Sequence, residues 1–195
     1  MISVIEQNVF NEQKNTLKVT YPRTVDIVFG TYPFPDKINN FIIDIKNNLL
    51  EDLEAKTHVK GRMTDWRFFT KNKNFNEFIN YIINVNQPSS PDLFKYFYQK
   101  KYIPEAWGVE LKPDEIVTGH IHTTWSGILY LTKGSDLILP ELNIKITPEP
   151  GAYYILPPQI VHGVDKGVED KLRYSLIFNI FQRDDVWEIH KELNK

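Results

Sequence analysis

The 195-residue sequence contains no cysteine. This excludes disulfide bonds, thiolate metal ligands and cysteine nucleophiles together, and it disfavours a small secreted scaffold held by disulfides. A metal ion bound by this chain must therefore be held by histidine, aspartate, glutamate or backbone oxygen atoms. The sequence also contains no phosphate-binding P-loop, no dinucleotide-binding glycine motif and no recognisable Ser/His/Asp arrangement.

An excess of charge of one sign is also missing, because 23 basic side chains are balanced by 25 acidic ones. Net charge therefore gives no nucleic-acid signature and no attraction to an anionic membrane surface. No window contains the run of about 18 apolar residues of a membrane span, and the N-terminal segment lacks a basic stretch followed by a long apolar one. We expect a soluble, cytoplasmic protein whose partner is an unknown substrate, and the sequence does not indicate an oligomeric state.

The pattern of apolar residues changes along the chain. Residues 36–57 and 74–86 show apolar residues at helical spacing, whereas residues 93–102 fit either a helix or a strand. From Trp107 onward, short apolar or alternating runs are separated by turn residues about 8 to 12 positions apart, which is typical of an antiparallel sandwich or barrel. A helical or mixed first half before these strands predicts one α+β domain over residues 1–195.

The segment "TGHIHTTWSG" contains two histidines separated by one residue. Side chains alternate between the faces of a strand, so His120 and His122 would project to the same side and could bind one metal ion. His162 follows a "PP" turn, and an antiparallel β-roll can return it to the level of the other two. An isolated His-x-His pair is more often exposed or structural, but three histidines at strand edges favour a metal site. The remaining histidines are expected to be solvated, in or beside helical segments: His58 and His190.

The segment "KLRYSLIFNI" at residues 171–180 alternates between two kinds of side chain. One set predicts a core face: Leu172, Tyr174, Leu176 and Phe178. The opposite face carries Arg173, Ser175, Ile177 and Asn179. A buried arginine needs an anionic partner, and its guanidinium can bind a carboxylate bidentately while a hydroxyl two residues away adds a further hydrogen bond. The alternative is an arginine near a strand end that pairs with one of the acidic side chains.

Three segments in this order, "GHIHTTWSGILYL", "PGAYYILPPQIVHGV" and "RYSLIFN", resemble the C-terminal half of the Fe(II)/2-oxoglutarate-dependent dioxygenase superfamily. They are similar in particular to a subfamily of oxygenases from marine bacteria and phages that carries His-x-His followed by Ser-Gly-x-x-Tyr. The resemblance covers about residues 105–180. It implies a double-stranded β-helix, or jelly roll, over about residues 105–182, supported by helices from the N-terminal part, about residues 1–104.

Carried over residue by residue, the resemblance implies that His120 and His162 are metal ligands. It implies that Arg173 holds the distal carboxylate of 2-oxoglutarate with help from Ser175, and that Tyr130 lies beside this cosubstrate. The implied cofactors are Fe(II) and 2-oxoglutarate, with ascorbate as an optional reductant. In this family, 2-oxoglutarate is oxidatively decarboxylated to succinate and CO2 while hydrogen is abstracted from a bound substrate.

The sequence departs from most of this superfamily at one ligand position. The usual motif is His-x-Asp or His-x-Glu, which places two histidines and one carboxylate on one face of the metal. Here His122 occupies the carboxylate's position, as in the subfamily, so the implied metal set is His120, His122 and His162. A neutral imidazole leaves the site about one charge unit more positive and should retain Fe(II) less tightly, while iron, nickel, zinc and copper all accept imidazole.

Two alternatives belong to other functional classes. A cupin-type metalloenzyme would use three histidines without 2-oxoglutarate, and "PGAYYILPPQIVH" fits the second cupin signature with Gly151, Pro157 and His162 in step. However, the glutamate that cupins carry four or five residues after the paired histidines is replaced by Ser126 and Gly127. The other alternative is a non-catalytic jelly-roll protein that binds a ligand.

Overall fold

The computed structural model describes two antiparallel sheets and two helices within residues 16–21, 23–51, 58–86, 102–167 and 171–181. The strands of these residues, in chain order, are β1 (Thr16–Tyr21), β2 (Arg23–Thr31), β3 (Arg62–Met63), β4 (Tyr102–Leu111), β5 (Val117–His120), β6 (Trp125–Tyr130), β7 (Leu137–Leu139), β8 (Ile144–Ile146), β9 (Ala152–Leu156), β10 (His162–Val164) and β11 (Arg173–Phe181). The helices are α1 (Pro35–Asn47) and α2 (Lys73–Asn86), and a short 3-10 helix covers Pro140–Leu142.

The two sheets form a jelly roll. The larger sheet has the strand order β1-β2-β9-β6-β11-β4-β3, and the smaller has the order β5-β10-β7-β8. Apolar side chains of β2, β6 and β9 pack against those of β7 and β8 in one buried cluster, which joins the sheets face to face. This architecture confirms the predicted α+β class with a double-stranded β-helix.

Both helices pack on the outer face of the larger sheet. Ile45 of α1, Phe78 of α2 and Phe178 of β11 are fully buried in one cluster. The second helix confirms the helical pattern predicted at residues 74–86. The first helix ends at Asn47, so the helical segment predicted over residues 36–57 was too long. The chain turns there because Leu50 forms a β-bridge with Met63 instead of a further helical turn. Residues 52–57 and 93–101 lie outside the described residues.

The N-terminal part also supplies strands that the sequence did not indicate. β2 pairs with β9, and its residues alternate, so that Val25 and Ile27 face the smaller sheet while Val28 faces the helices. The first half therefore contributes to the larger sheet as well as covering it, and the assignment of the whole chain to one domain stays a prediction. Among the described residues, neither helix has the length and apolar character needed to cross a membrane.

Strand β11 has two distinct faces. Tyr174, Leu176 and Phe178 pack with the helices, as predicted. Leu172 precedes the strand and is 42% exposed, so its assignment to the core face was wrong. The opposite face of β11 points into the space between the sheets and carries the polar residues that line the candidate site: Arg173, Ser175 and Asn179.

Candidate metal centre

Three histidines come together where β5 meets β10. His120, the last residue of β5, is the direct backbone partner of His162, the first residue of β10, and His122 follows two residues later in the chain. The candidate ligand atoms of the three side chains all lie within 4.8 Å of one another. The Nε2 atoms of His120 and His122 are 3.2 Å apart. Two nitrogens bound to one ion at about 2.0–2.1 Å are themselves about 3 Å apart, so this spacing fits a shared ion.

Backbone carbonyl groups orient two of the three rings. The Nδ1 atoms of His120 and His162 each lie 2.9 Å from the carbonyl oxygen of the residue two positions earlier. A carbonyl only accepts, so each Nδ1 donates and each Nε2 carries the lone pair that a metal needs. His122 lies beyond the end of β5, and its backbone oxygen accepts a hydrogen bond of 2.9 Å from the N–H of Gln159. This bond ties the segment to the turn before β10.

Burial favours the neutral form of all three imidazoles. It lowers the pKa of His122 to about 3, and the neighbouring histidines lower this pKa further in the same direction. Burial likewise lowers the pKa of His162 to about 4 and lowers the pKa of His120. Neutral imidazole is the metal-binding form, so the three rings are ready to act as ligands at neutral pH.

These lowered pKa values predict a Zn(II) affinity that changes by less than about threefold between about pH 7.5 and pH 6. Three imidazoles with an ordinary pKa near 6.5 would take up protons in this range and lose about fiftyfold in affinity. Protons compete for His122 and His162 only when the pH falls further, toward their folded-state pKa values of about 3 and about 4. Calorimetric titration of the apoprotein at the two pH values measures the change, and a loss near fiftyfold would contradict the burial of these rings.

Arg173, Ser175 and Tyr130 line the same inner cavity as the three histidines. Ser175 of β11 is the backbone partner of Tyr130 on β6, which places both side chains on the interior face. Arg173 is 3% exposed, and its guanidinium lies 5.5 Å from the centre of the Tyr130 ring. One Nη atom donates to the backbone oxygen of Ser135 over 3.3 Å. In the described part of the chain no acidic side chain pairs with Arg173. The alternative prediction, an arginine at a strand end in an ion pair with an acidic residue, therefore does not describe this side chain.

Arg173, Ser175 and Tyr130 each have a buried polar atom with no hydrogen-bond partner among the described residues: Nε, Oγ and Oη respectively. Burial lowers the pKa of Arg173 and raises that of Tyr130. A buried guanidinium without a counterion is unfavourable, and a carboxylate would offset this cost while accepting hydrogen bonds from all three groups. The donor set therefore fits an anionic ligand with a carboxylate end.

His58 lies beside the candidate centre, which the sequence did not indicate. Its side chain is exposed, as expected, but its ring stacks on that of His120 with the centroids 4.7 Å apart and the planes 7° apart. The His58 carbonyl accepts a hydrogen bond from the backbone N–H of Thr118, so its segment runs along β5 and not beside a helix. A single histidine far from the motif gives no sequence signal for this placement. His190 lies outside the described residues.

An open cleft of about 650 Å³ lies outside the three histidines. His120 and His122 form its inner end and also line the inner cavity that contains Arg173. His58 and Ile121 flank them, and the remaining wall is formed by polar and aromatic side chains: Asp65, Trp66, Arg67, Glu105, Trp107 and Asn179. His120 and His122 thus border both the outer cleft, which is open to solvent, and the inner cavity, as do Val59 and Trp107.

The fold is similar to those of solved 2-oxoglutarate-dependent oxygenases, although the sequence matches no family profile and no curated protein. A viral collagen prolyl hydroxylase from Paramecium bursaria Chlorella virus-1, solved with 2-oxoglutarate, aligns with a TM-score of 0.61 at 11% identity, over 79% of this chain and 94% of that chain. A prolyl-4-hydroxylase from Pseudomonas putida aligns with a TM-score of 0.60 at 14% identity, over 80% and 92%. HygX from Streptomyces hygroscopicus, solved with nickel and 2-oxoglutarate, aligns with a TM-score of 0.54 at 11% identity, over 79% and 82%.

These similarities establish the architecture of the chain. The resemblance to this superfamily, carried in the sequence by three short segments, is confirmed at the level of the fold. The narrower assignment to the subfamily with His-x-His stays a prediction. The ligands named for the solved proteins belong to those proteins, and a shared fold does not by itself imply a shared ligand.

Proposed function

We propose that this chain is an Fe(II)/2-oxoglutarate-dependent dioxygenase that hydroxylates a substrate still to be identified. The observation that carries this proposal is Arg173, which is buried without an acidic partner among the described residues in the cavity that the three histidines line. A cationic donor and a candidate metal centre in one cavity suit a small ligand that is anionic at one end and chelating at the other. 2-Oxoglutarate has this chemistry, and the fold is one that binds it in other proteins.

His120, His122 and His162 would hold the metal ion through their ring nitrogens. When bound, Fe(II) together with 2-oxoglutarate and O2 supplies the oxidising chemistry, in which the keto acid is converted to succinate and CO2. The hydrogen bonds from Nδ1 to backbone carbonyl groups hold His120 and His162 in a fixed orientation, which keeps Nε2 directed at the centre. These residues thus set the geometry of the metal.

Arg173 would bind the distal carboxylate of 2-oxoglutarate, and Ser175 and Tyr130 would donate hydrogen bonds to it. Their unpaired Nε, Oγ and Oη atoms provide the donors. The raised pKa of Tyr130 keeps its phenol protonated, so this group donates and adds no negative charge. The surrounding side chains exclude water, because Arg173, Ser175 and Tyr130 are each less than 5% exposed.

The third imidazole changes the charge of this centre. Fe(II) with three neutral histidines carries two positive charges, one more than with two histidines and a carboxylate. This weakens retention of the cation by the protein alone, but it strengthens attraction of the doubly negative cosubstrate. We therefore expect metal and 2-oxoglutarate to bind with positive cooperativity.

Release of succinate tests the reaction class before the substrate is known. We expect the purified protein with Fe(II), ascorbate and 2-oxoglutarate to form succinate slowly, because turnover of this chemistry can proceed uncoupled from substrate oxidation. The measurement is succinate by chromatography, compared with protein to which no metal was added. An iron-loaded, folded protein that forms no succinate above this control would contradict the proposal.

One observation favours a second candidate. A ligand set of three histidines without a carboxylate also suits a cupin-type metalloenzyme, in which 2-oxoglutarate has no role. Arg173 would then hold a different anion, such as the carboxylate of the substrate itself. Metal binding without affinity for 2-oxoglutarate would favour this candidate, and absence of metal after growth in iron-containing medium would favour a non-catalytic binding protein.

A further inference from the structure

Trp107 and Asn179 both line the outer cleft, and Trp107 also lines the inner cavity. Each has a buried polar atom with no hydrogen-bond partner among the described residues: Nε1 of Trp107 and Oδ1 of Asn179. Trp107 is 4% exposed and Asn179 is 7% exposed. One atom is a donor and the other an acceptor, and neither belongs to the candidate ligand set or to the anion-binding group at Arg173. Leaving such atoms unpaired is unfavourable, so each is suited to a group of a bound ligand.

The orientation of the Asn179 amide is fixed by Glu105. Nδ2 of Asn179 donates to Oε2 of Glu105 over 2.7 Å. Because a carboxylate only accepts, the reverse orientation would place two oxygens against each other. Oδ1 of Asn179 is therefore the atom left to accept a hydrogen bond, and Glu105 acts as its positioning residue.

Trp107 and Asn179 are diagonal neighbours on adjacent strands. Asn179 of β11 is opposite Glu105 of β4, and Ile177 of β11 is opposite Trp107. Diagonal neighbours on one face of an antiparallel pair are about 7–8 Å apart, so the two side chains are close enough to contact one small ligand group. This position is next to His120 and His122, which line the same cleft.

We propose that Trp107 and Asn179 recognise a carboxamide group of the substrate. The amide oxygen accepts from Nε1 of Trp107, and the amide N–H donates to Oδ1 of Asn179. This inference rests on the proposed function, because it makes the outer cleft the substrate side of the same metal centre. Carbon atoms next to the amide contact Trp66 and the exposed Ile121, which supply apolar surface in the cleft.

Charged head groups satisfy this pair less well. An ammonium group has no acceptor for the indole N–H of Trp107. A carboxylate has no donor for Oδ1 of Asn179. A carboxamide provides one donor and one acceptor without net charge, whether it comes from an amide side chain or from a peptide bond.

Four probes of similar size test the chemical class: pentanamide, its isomer N-methylbutanamide, pentylammonium and pentanoate. They are titrated into full-length protein loaded with Zn(II) and 2-oxoglutarate, and in parallel into metal-free protein. The readout is the 1H–15N signal of the Trp107 indole, assigned among the four tryptophans of the chain by loss of one signal in Trp107→Phe. We expect at least one amide to shift this signal with about tenfold higher affinity than either charged probe. Tighter binding of pentanamide would indicate a primary amide, and tighter binding of N-methylbutanamide would indicate a peptide-type amide.

Asn179→Leu should reduce amide affinity by about tenfold, since it removes the acceptor. Asn39→Leu is the matched control, because Asn39 is an exposed asparagine of α1 away from the cleft and its replacement should leave the affinity unchanged.

The outcomes separate this inference from the proposed function. Amide binding at Trp107 without succinate formation would leave the binding site standing and overturn the dioxygenase proposal. Succinate formation with no shift by either amide, or with equal or tighter binding of pentylammonium or pentanoate, would overturn the inference alone. Equal amide affinity in wild type and Asn179→Leu would also overturn it.

Discussion

Replacing Arg173 with methionine is expected to reduce affinity for 2-oxoglutarate by at least about thirtyfold in metal-loaded protein. Removing one partner from a buried, hydrogen-bonded charge pair typically costs 2 to 5 kcal/mol of binding free energy, about thirtyfold to several thousandfold in affinity. Arg173 is the sole described cation that lines the inner cavity, so no neighbouring residue of that lining can replace it. The measurement is calorimetric titration of 2-oxoglutarate into Zn(II)-loaded wild type and variant.

The same substitution should leave the ligand-free protein as stable as wild type or more stable. Arg173 is buried without an acidic partner in the described residues, and an apolar side chain of similar length removes this desolvation cost. Arg62→Met is the matched control. Arg62 pairs with the buried Glu110, so its loss should destabilise the fold while leaving 2-oxoglutarate affinity intact. Unchanged affinity in Arg173→Met, or severe unfolding of this variant, would show that Arg173 has a structural role.

His122→Ala is expected to weaken Fe(II) binding by at least about tenfold to a hundredfold. Mutating a residue that only hydrogen-bonds to a metal ligand typically lowers metal affinity by this range, and here the ligand itself is removed. His122→Asp should retain iron, because it restores two histidines and one carboxylate on the metal. Anaerobic titration of Fe(II) into the three proteins compares their affinities directly.

His58→Ala is the control for this series. His58 stacks on His120 but lies outside the set of side chains whose ligand atoms converge within 4.8 Å. Its removal should therefore change iron affinity by less than about tenfold. Equal iron affinity in wild type, His122→Ala and His122→Asp would show that His122 is not a ligand.

The parts of the fold that could be predicted from the sequence have strong apolar periodicity. β6, β9 and β11 each follow an apolar or alternating run, and α2 follows a helical pattern almost to its ends. β5 and β10 have only four and three residues, contain glycine, and lack apolar alternation, so a local pattern could not define them. The periodicity of the first helix continues beyond Asn47, but a long-range β-bridge of Leu50 ends the helix earlier.

The candidate site, like the fold, could be predicted from the sequence only in part. The residues named in advance lie in contiguous motifs, and the structure places His120, His122 and His162 together and Arg173, Ser175 and Tyr130 in the same cavity. His58 and Trp107 come from earlier segments with no recognisable motif. The hydrogen bond between Asn179 and Glu105 depends on the register of β4 against β11, which no local pattern specifies.

In the proposed function, three histidines hold one metal ion in the same cavity where Arg173 holds 2-oxoglutarate. A crystal structure of the protein with Zn(II) and 2-oxoglutarate tests this most directly. We expect one ion about 2.0–2.1 Å from a ring nitrogen of each of His120, His122 and His162, with the distal carboxylate of 2-oxoglutarate on the guanidinium of Arg173. An ion bound by only two of these histidines, or 2-oxoglutarate bound away from Arg173, would contradict it.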